Sequence, residues 1–136
     1  MHTRRNCHRH LWLLSGTGEG PTLARALIRE GWRVSVSVVS NQAAHAYLDF
    51  PLENLWIGPL SGAVAIKNVL QEARLRNSAF NWVIDATHPF AKVISTNLQI
   101  ACRDFDQPLI RFERPTYKSS KESLLNHLRE LSTRDL

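Results

Sequence analysis

The run Trp82-Val83-Ile84-Asp85-Ala86, followed at once by Thr87-His88-Pro89-Phe90-Ala91, limits the folds open to this chain more than any other segment. An unbroken apolar stretch rich in β-branched residues suits a strand buried on both faces. A strand of that kind needs helices above and below it, which points to a layered α/β architecture. Pro89 suits the first turn of a following helix, where its missing N–H costs nothing. Polar residues are thereby placed at the carboxyl end of a strand, where open α/β sheets bind their ligands.

The rest of the sequence alternates in the same way. Leu11 to Leu14 reads as a first strand, and Gly16 to Gly20 as a turn with Pro21 near the start of a helix. Leu23, Ala24, Leu27 and Ile28 recur at helical spacing, and Gly31 supplies a stop. Arg33 to Ser40 alternates as a second strand, and Asn41 to Tyr47 reads as a short helix. Leu55 to Ile57 is a third strand and Ala63 to Arg76 a helix; Trp82 to Ala86 is a fourth strand and Pro89 to Phe105 a helix; Pro108 to Phe112 is a fifth strand. Ser119 with Glu122 resembles a capping box opening a last helix that runs to about Leu131. This order predicts a Rossmann-like domain over residues 11–136: a five-stranded parallel sheet with helices on both faces. Residues 1–10 are polar and aperiodic and read as a flexible basic tail.

At 136 residues the chain suits one domain of ordinary size. A net charge of +5 suits an anionic partner, such as a nucleotide phosphate or a polycarboxylate. The Lys and Arg residues form no stripe with interleaved aromatics, which argues against nucleic acid. No apolar run approaches the ~20 residues that span a bilayer, so no membrane partner is expected. Two cysteines, Cys7 and Cys102, imply no disulfide framework, and the expected compartment is the reducing cytoplasm.

Two strand-to-helix junctions carry the candidate chemistry. Gly16, Gly18 and Gly20 would let the backbone approach a phosphate, with Thr17 and Glu19 in the same turn and a helix N-terminus behind it. The spacing is G-x-G-x-G-P rather than G-x-G-x-x-G, and an ordinary tight βα turn would read the same way. About 20 residues on, where an NAD site places a carboxylate, this chain has Ser40, Asn41 and Gln42. Ser40 and Asn41 can hydrogen-bond a 2′-phosphate, so the lean is toward NADPH. At the second junction His88 could donate to a substrate carboxylate or shuttle a proton. Asp85 could hold the loop through backbone N–H groups. The plainer alternative there is a Thr cap followed by Pro.

Val83-Ile84-Asp85-Ala86-Thr87-His88-Pro89-Phe90-Ala91, then Ile94, Ser95 and Asn97, then Pro108-Leu109-Ile110-Arg111-Phe112-Glu113-Arg114-Pro115, closely resembles the precorrin-6A reductase family, which includes cobalt-precorrin-6A reductases. The Ser15 to Gly20 turn is similar to that family's nucleotide loop, and the resemblance runs from about Leu11 to Pro115. It implies an NADPH-dependent reductase of cobalamin (corrin) biosynthesis that delivers a hydride to precorrin-6A, giving precorrin-6B. It implies macrocycle contacts at Thr87, His88, Pro89 and Phe90, with His88 as the candidate catalytic residue. Precorrins carry many carboxylates, which suits Arg114 and Lys118; for Arg111, substrate contact and an exposed strand-edge position are equally open.

The chain departs from the family pattern in two ways. The family continues into a second α/β domain, absent here, so the alternative is a truncated, non-catalytic NADPH-binding module that needs a partner half-domain. An unrelated nucleotide sensor is a third reading. Family members often carry Arg where Asn41 stands. Other residues have plain roles: Cys7, His8 and His10 lie in the tail rather than in a metal site, and no metal is expected. His45 and His127 lie on helix surfaces. Trp12, Trp56 and Trp82 pack the core, Trp32 is partly exposed, and Cys102 is an inert buried helix residue.

Overall fold

A computed structural model describes residues 9–16, 18–88, 90–112 and 119–134, with the side chains of the last helix described over 123–130. Five strands alternate with helices: β1 (His10–Ser15), α1 (Glu19–Arg29), β2 (Arg33–Val38), α2 (Asn41–Ala44) running into a 3-10 turn (His45–Tyr47), β3 (Asn54–Ile57), α3 (Gly62–Leu75), β4 (Trp82–Ala86), α4 (Lys92–Asp104), β5 (Leu109–Arg111) and α5 (Ser119–Arg134). All strand pairs are parallel and the sheet order is β3-β2-β1-β4-β5. The order reverses between β1 and β4, so the two glycine- and histidine-bearing loops leave adjacent strands at the sheet's switch point.

Period-two alternation sends each strand's residues to opposite layers. Leu11, Leu13, Val34, Val36 and Ile84 pack with Leu23 and Leu27 of α1 and Leu124, Leu125 and Leu128 of α5. Trp12, Leu14 and Val83 pack with Ile66 and Leu70 of α3 and Leu98, Ala101 and Cys102 of α4. On this second face β2 offers Ser35 and Ser37 rather than apolar residues. Ser37 Oγ accepts from Trp12 Nε1 at 2.9 Å, so the buried indole N–H is satisfied. Gly31 has φ +98°, the left-handed conformation that lets a glycine end α1.

Several expectations need correction. His10, expected in the tail, is the first residue of β1 and is 1% exposed. Trp32 is buried, its amide donating to Leu27 O at 3.2 Å as the chain turns from α1 into β2. Trp56 is 36% exposed because β3 is an edge strand, whereas Trp82, half-buried, packs against the core as expected. The helix expected from Pro89 begins at Lys92. The amides ahead of it are already committed: Phe90 N donates to His88 Nδ1 and Ala91 N to His88 O, closing a turn before the helix starts. Cys7, His8, Thr17, Pro89, Arg114 and Lys118, and the side chains of Ser119 and Glu122, lie outside the described residues.

Candidate active site

The site is assembled at the carboxyl ends of β1 and β4, where the chain must leave the sheet twice within a few ångströms. Gly16 N donates to Ala86 O at 3.2 Å, tying the first loop to the last residue of β4. A Cβ on Gly16 would lie 3.0 Å from the His88 amide nitrogen and 3.1 Å from Thr87 Cα. The two loops therefore touch, as expected for neighbours at the switch point, and a side chain at position 16 would make the second loop give way by a few tenths of an ångström. Gly18 has nothing near its missing Cβ and is exposed. Glu19 is half-buried in the first turn of α1.

Gly20 is different. It sits inside α1, buried, and a Cβ there would fall 1.9 Å from Ser15 Oγ and 2.3 Å from Tyr47 Oη. The space is taken by the Tyr47-to-Ser15 hydrogen bond of 2.8 Å. Gly20 thus does what the third glycine of a dinucleotide fingerprint does, which is to permit close helix–strand packing, despite its displaced spacing. Burial raises the Tyr47 phenol's pKa, keeping it the protonated donor. Ser15, Gly16, Gly18, Val38, Gln42 and Tyr47 help line a cleft of about 320 Å³ between this turn and α2. Ser40 caps α2, its Oγ accepting from Ala43 N at 3.1 Å, and Asn41 is exposed beside it.

The second loop is anchored from below by Asp85, which is 3% exposed. Its Oδ1 accepts from Thr87 N at 3.1 Å and Thr87 Oγ1 at 2.6 Å, and its Oδ2 accepts from Ser95 Oγ at 2.6 Å. Arg111 Nη1 lies 3.0 Å from Asp85 Oδ1. The two residues are direct partners in the β4–β5 register. Asp85 therefore holds the loop through a backbone N–H as expected, and Arg111 is an ion-pair partner rather than an exposed edge residue. Thr87 is half-buried, whereas His88 and Phe90 are exposed. The Phe90 amide donates to His88 Nδ1 at 3.1 Å, so neutral His88 carries its proton on Nε2.

Sequence reasoning brought Gly16, Thr87 and His88 together correctly but missed Tyr47, Ser95 and the Asp85–Arg111 pair. Tyr47 and Ser15 are 32 positions apart and nothing local signals their meeting. Asp85–Arg111 was in principle readable, since opposite charges stand at the same step of adjacent parallel strands. A larger cavity of about 480 Å³, lined in part by Glu53, Asn54, Trp56 and Glu72, lies at the opposite, amino-terminal end of the sheet. The switch-point crevice is the better ligand site, because there the backbone turns, the glycines and the start of α1 converge.

Known proteins agree with this geometry. Cobalt-precorrin-6A reductase of Synechocystis sp. is 30% identical over 114 residues, covering 84% of this chain and 41% of that protein. Precorrin-6A reductase of Rhodobacter capsulatus is 29% identical, covering 90% of this chain and 45% of that protein. The chain thus spans less than half the length of these relatives. The solved structure of a CobK precorrin-6A reductase superposes with a TM-score of 0.63 at 29% identity, over 81% of this chain and 39% of that one. A short-chain dehydrogenase/reductase from Serratia marcescens, 15% identical with a TM-score of 0.54 over 96% of this chain and 69% of that one, shares the fold alone. Residues 10–133, nearly the whole of the described fold, match the family described as Precorrin-6x reductase CbiJ/CobK, and the chain belongs to that family.

Proposed function

We propose that this chain is the nucleotide-binding half of an NADPH-dependent reductase of cobalamin biosynthesis, acting on a precorrin-6A or cobalt-precorrin-6A macrocycle to give the precorrin-6B-type product. The observation that carries this reading is the contact between the Gly16 turn and the Thr87–His88 loop, which leaves one crevice at the switch point of a sheet from this family. NADPH fits that crevice: Gly16 and Gly18 line the cleft at the start of α1, with Gly20 behind them, and Val39 and Gln42, which flank Ser40 and Asn41, line it with no carboxylate among its lining residues to repel a 2′-phosphate; Thr17, Glu19, Ser40 and Asn41 are the further cofactor contacts of this reading. When bound, NADPH supplies a hydride to one double bond of the macrocycle.

The chain's own residues do the rest. His88 presents Nε2–H at the exposed edge of the crevice, where it donates a hydrogen bond to a substrate carboxylate; to give the proton that completes the reduction it would first take one on Nδ1, in place of the bond from the Phe90 amide. Thr87 and Phe90 stand at the same edge and, in this reading, contact the macrocycle, as does Pro89, and Arg114 pairs with its carboxylates. Val39, Ile57, Val64, Phe90 and Val93 are exposed apolar residues at this carboxyl end of the sheet. Together with the relatives' greater length, they support a second half-domain over the crevice. We place the protein in the cytoplasm; no helix among the described residues is long and apolar enough to cross a membrane.

Calorimetric titration of the purified chain with NADPH and NADH tests the reading. Tight NADPH binding with weak NADH binding is expected, and binding of neither would sink it. The short span relative to the relatives favours a second reading, a module that binds NADPH but reduces nothing alone. Turnover of the macrocycle only after addition of the missing half would single that out.

A further inference from the structure

We propose that Arg111 is a positioning residue which, through Asp85 and Ser95, clamps the Thr87–His88 loop against Gly16 and so fixes the His88 imidazole at the edge of the crevice. The inference rests on the role given to His88 above, but its geometry stands by itself. Thr87 Oγ1 and Ser95 Oγ each have one proton, and both give it to Asp85 at 2.6 Å. Their lone pairs then face Arg111 Nη1, which donates to each at 3.2 Å. Arg111 Nη1 is also 3.0 Å from the Asp85 carboxylate. The proton positions are thereby set in one sense only, and β4, the first turn of α4 and β5 are joined through a single guanidinium nitrogen. Above this knot lies the loop backbone, and above that lies Gly16 with no room to spare.

Removing Arg111 has two consequences. Asp85, nearly fully buried, loses its counter-charge, which is costly in a poorly solvated site. The hydroxyls of Thr87 and Ser95 lose the donor that orients them, and the Phe90-to-His88 bond loses its fixed base. Lysine keeps the charge but not the planar fork.

The test combines nitrogen-detected magnetic resonance of the His88 ring with NADPH titration and urea unfolding, on wild type, R111K, R111M and D85N/R111M. In wild type the His88 ring should report the Nε2–H tautomer with a bonded Nδ1. R111M should lose that signature and shift the Thr87, His88 and Phe90 amides, with NADPH affinity falling by ~10-fold as the Gly16 turn loses the fixed loop it packs against. R111K should restore stability but only part of the ring signature and affinity. D85N/R111M removes both charges, so it should fold even where R111M does not, and should still lack the signature. An unchanged His88 ring in either R111M or D85N/R111M would overturn the proposal. If wild type binds no NADPH, the functional reading falls, while the ring spectra still decide the positioning role.

Discussion

At the amino end of β1, His10 gathers polar groups from three other parts of the chain; at the carboxyl end of β4, Asp85 does the same. The groups that bond the His10 ring are all neutral, and the Arg33–Glu53 ion pair reaches it through Ser78, whose Oγ accepts from Arg33 Nη1 at 3.3 Å. Ser78 O can only accept, so at 2.9 Å it takes His10 Nδ1–H; neutral His10 then accepts on Nε2 from the Ser35 hydroxyl at 2.7 Å, and Ser35 Oγ accepts from Asn54 Nδ2 at 3.1 Å. The ring lies against Phe80, with centroids 4.7 Å apart. This cluster staples β1 to β2, β3 and the approach to β4, with His10 1% exposed at the wall of the amino-end cavity. Around Asp85 the partners are charged or hydroxylic, and what they hold is a loop with His88 and Phe90 in solvent. Neutral, saturated networks suit rigidity, whereas a charged knot under an exposed loop suits the placement of a reactive group. The two ends should therefore fail differently, the amino end in stability and the carboxyl end in ligand binding.

The largest expected effect is at the amino end. His10→Ala removes a fully buried ring and leaves the Ser35 hydroxyl and Ser78 O without their partner, a loss of about 3 kcal/mol by the usual cost of cavities and unmet hydrogen bonds. Urea unfolding should show this, and in conditions where the variant remains folded its NADPH affinity should match wild type. A large affinity change would break the division between the ends. Gly20→Ala comes next, at about 2 kcal/mol for overpacking. Because the new methyl displaces Ser15 and Tyr47, which line the cleft, it should weaken NADPH binding as well. Gly16→Ala should cost less stability, about 1 kcal/mol, since the loop it meets can shift by a few tenths of an ångström. Its effect should fall mainly on NADPH affinity, and its His88 amide should move in the spectrum. If Gly16→Ala proved more destabilising than His10→Ala, the comparison would be reversed.

What could be read in advance follows from the range of the interactions. The strands and most helices were legible because period-two and period-3.6 patterns are local, and strict alternation then forces parallel strands and covered faces. Contact between the loops after β1 and β4 was legible because strand order follows from topology. His10 was misplaced because its partners lie at Ser35 and Ser78, 25 and 68 positions away, and a His beside an Arg-rich segment looks like tail. Trp56 misled for a related reason: a short apolar run does not say whether its strand lies at the edge. The start of α4 was missed because Phe90 and Ala91 spend their amides on His88, and no propensity records that choice.

The smallest effect expected is also the most specific to the amino end. Burial, aided by the nearby Arg33 charge, lowers the His10 pKa, against the opposing influence of the Ser78 carbonyl bond and the more distant Glu53. Folded chains thus keep His10 neutral at pH values where unfolded chains, with the ordinary value of 6.5, begin to take up a proton. The stabilisation is complete above that value, declines as pH falls below it, and stops declining once the folded His10 protonates too. Protonation would also put a donor on Nε2 facing Ser35, whose oxygen already accepts from Asn54, so the relay would have to reorganise. Unfolding free energies of wild type measured from pH 8 to pH 5 should fall more steeply than those of His10→Gln, which cannot titrate. Equal slopes would mean that the charge of His10 is not excluded from the fold, and the contrast between a buried neutral end and an open charged one would lose its electrostatic basis.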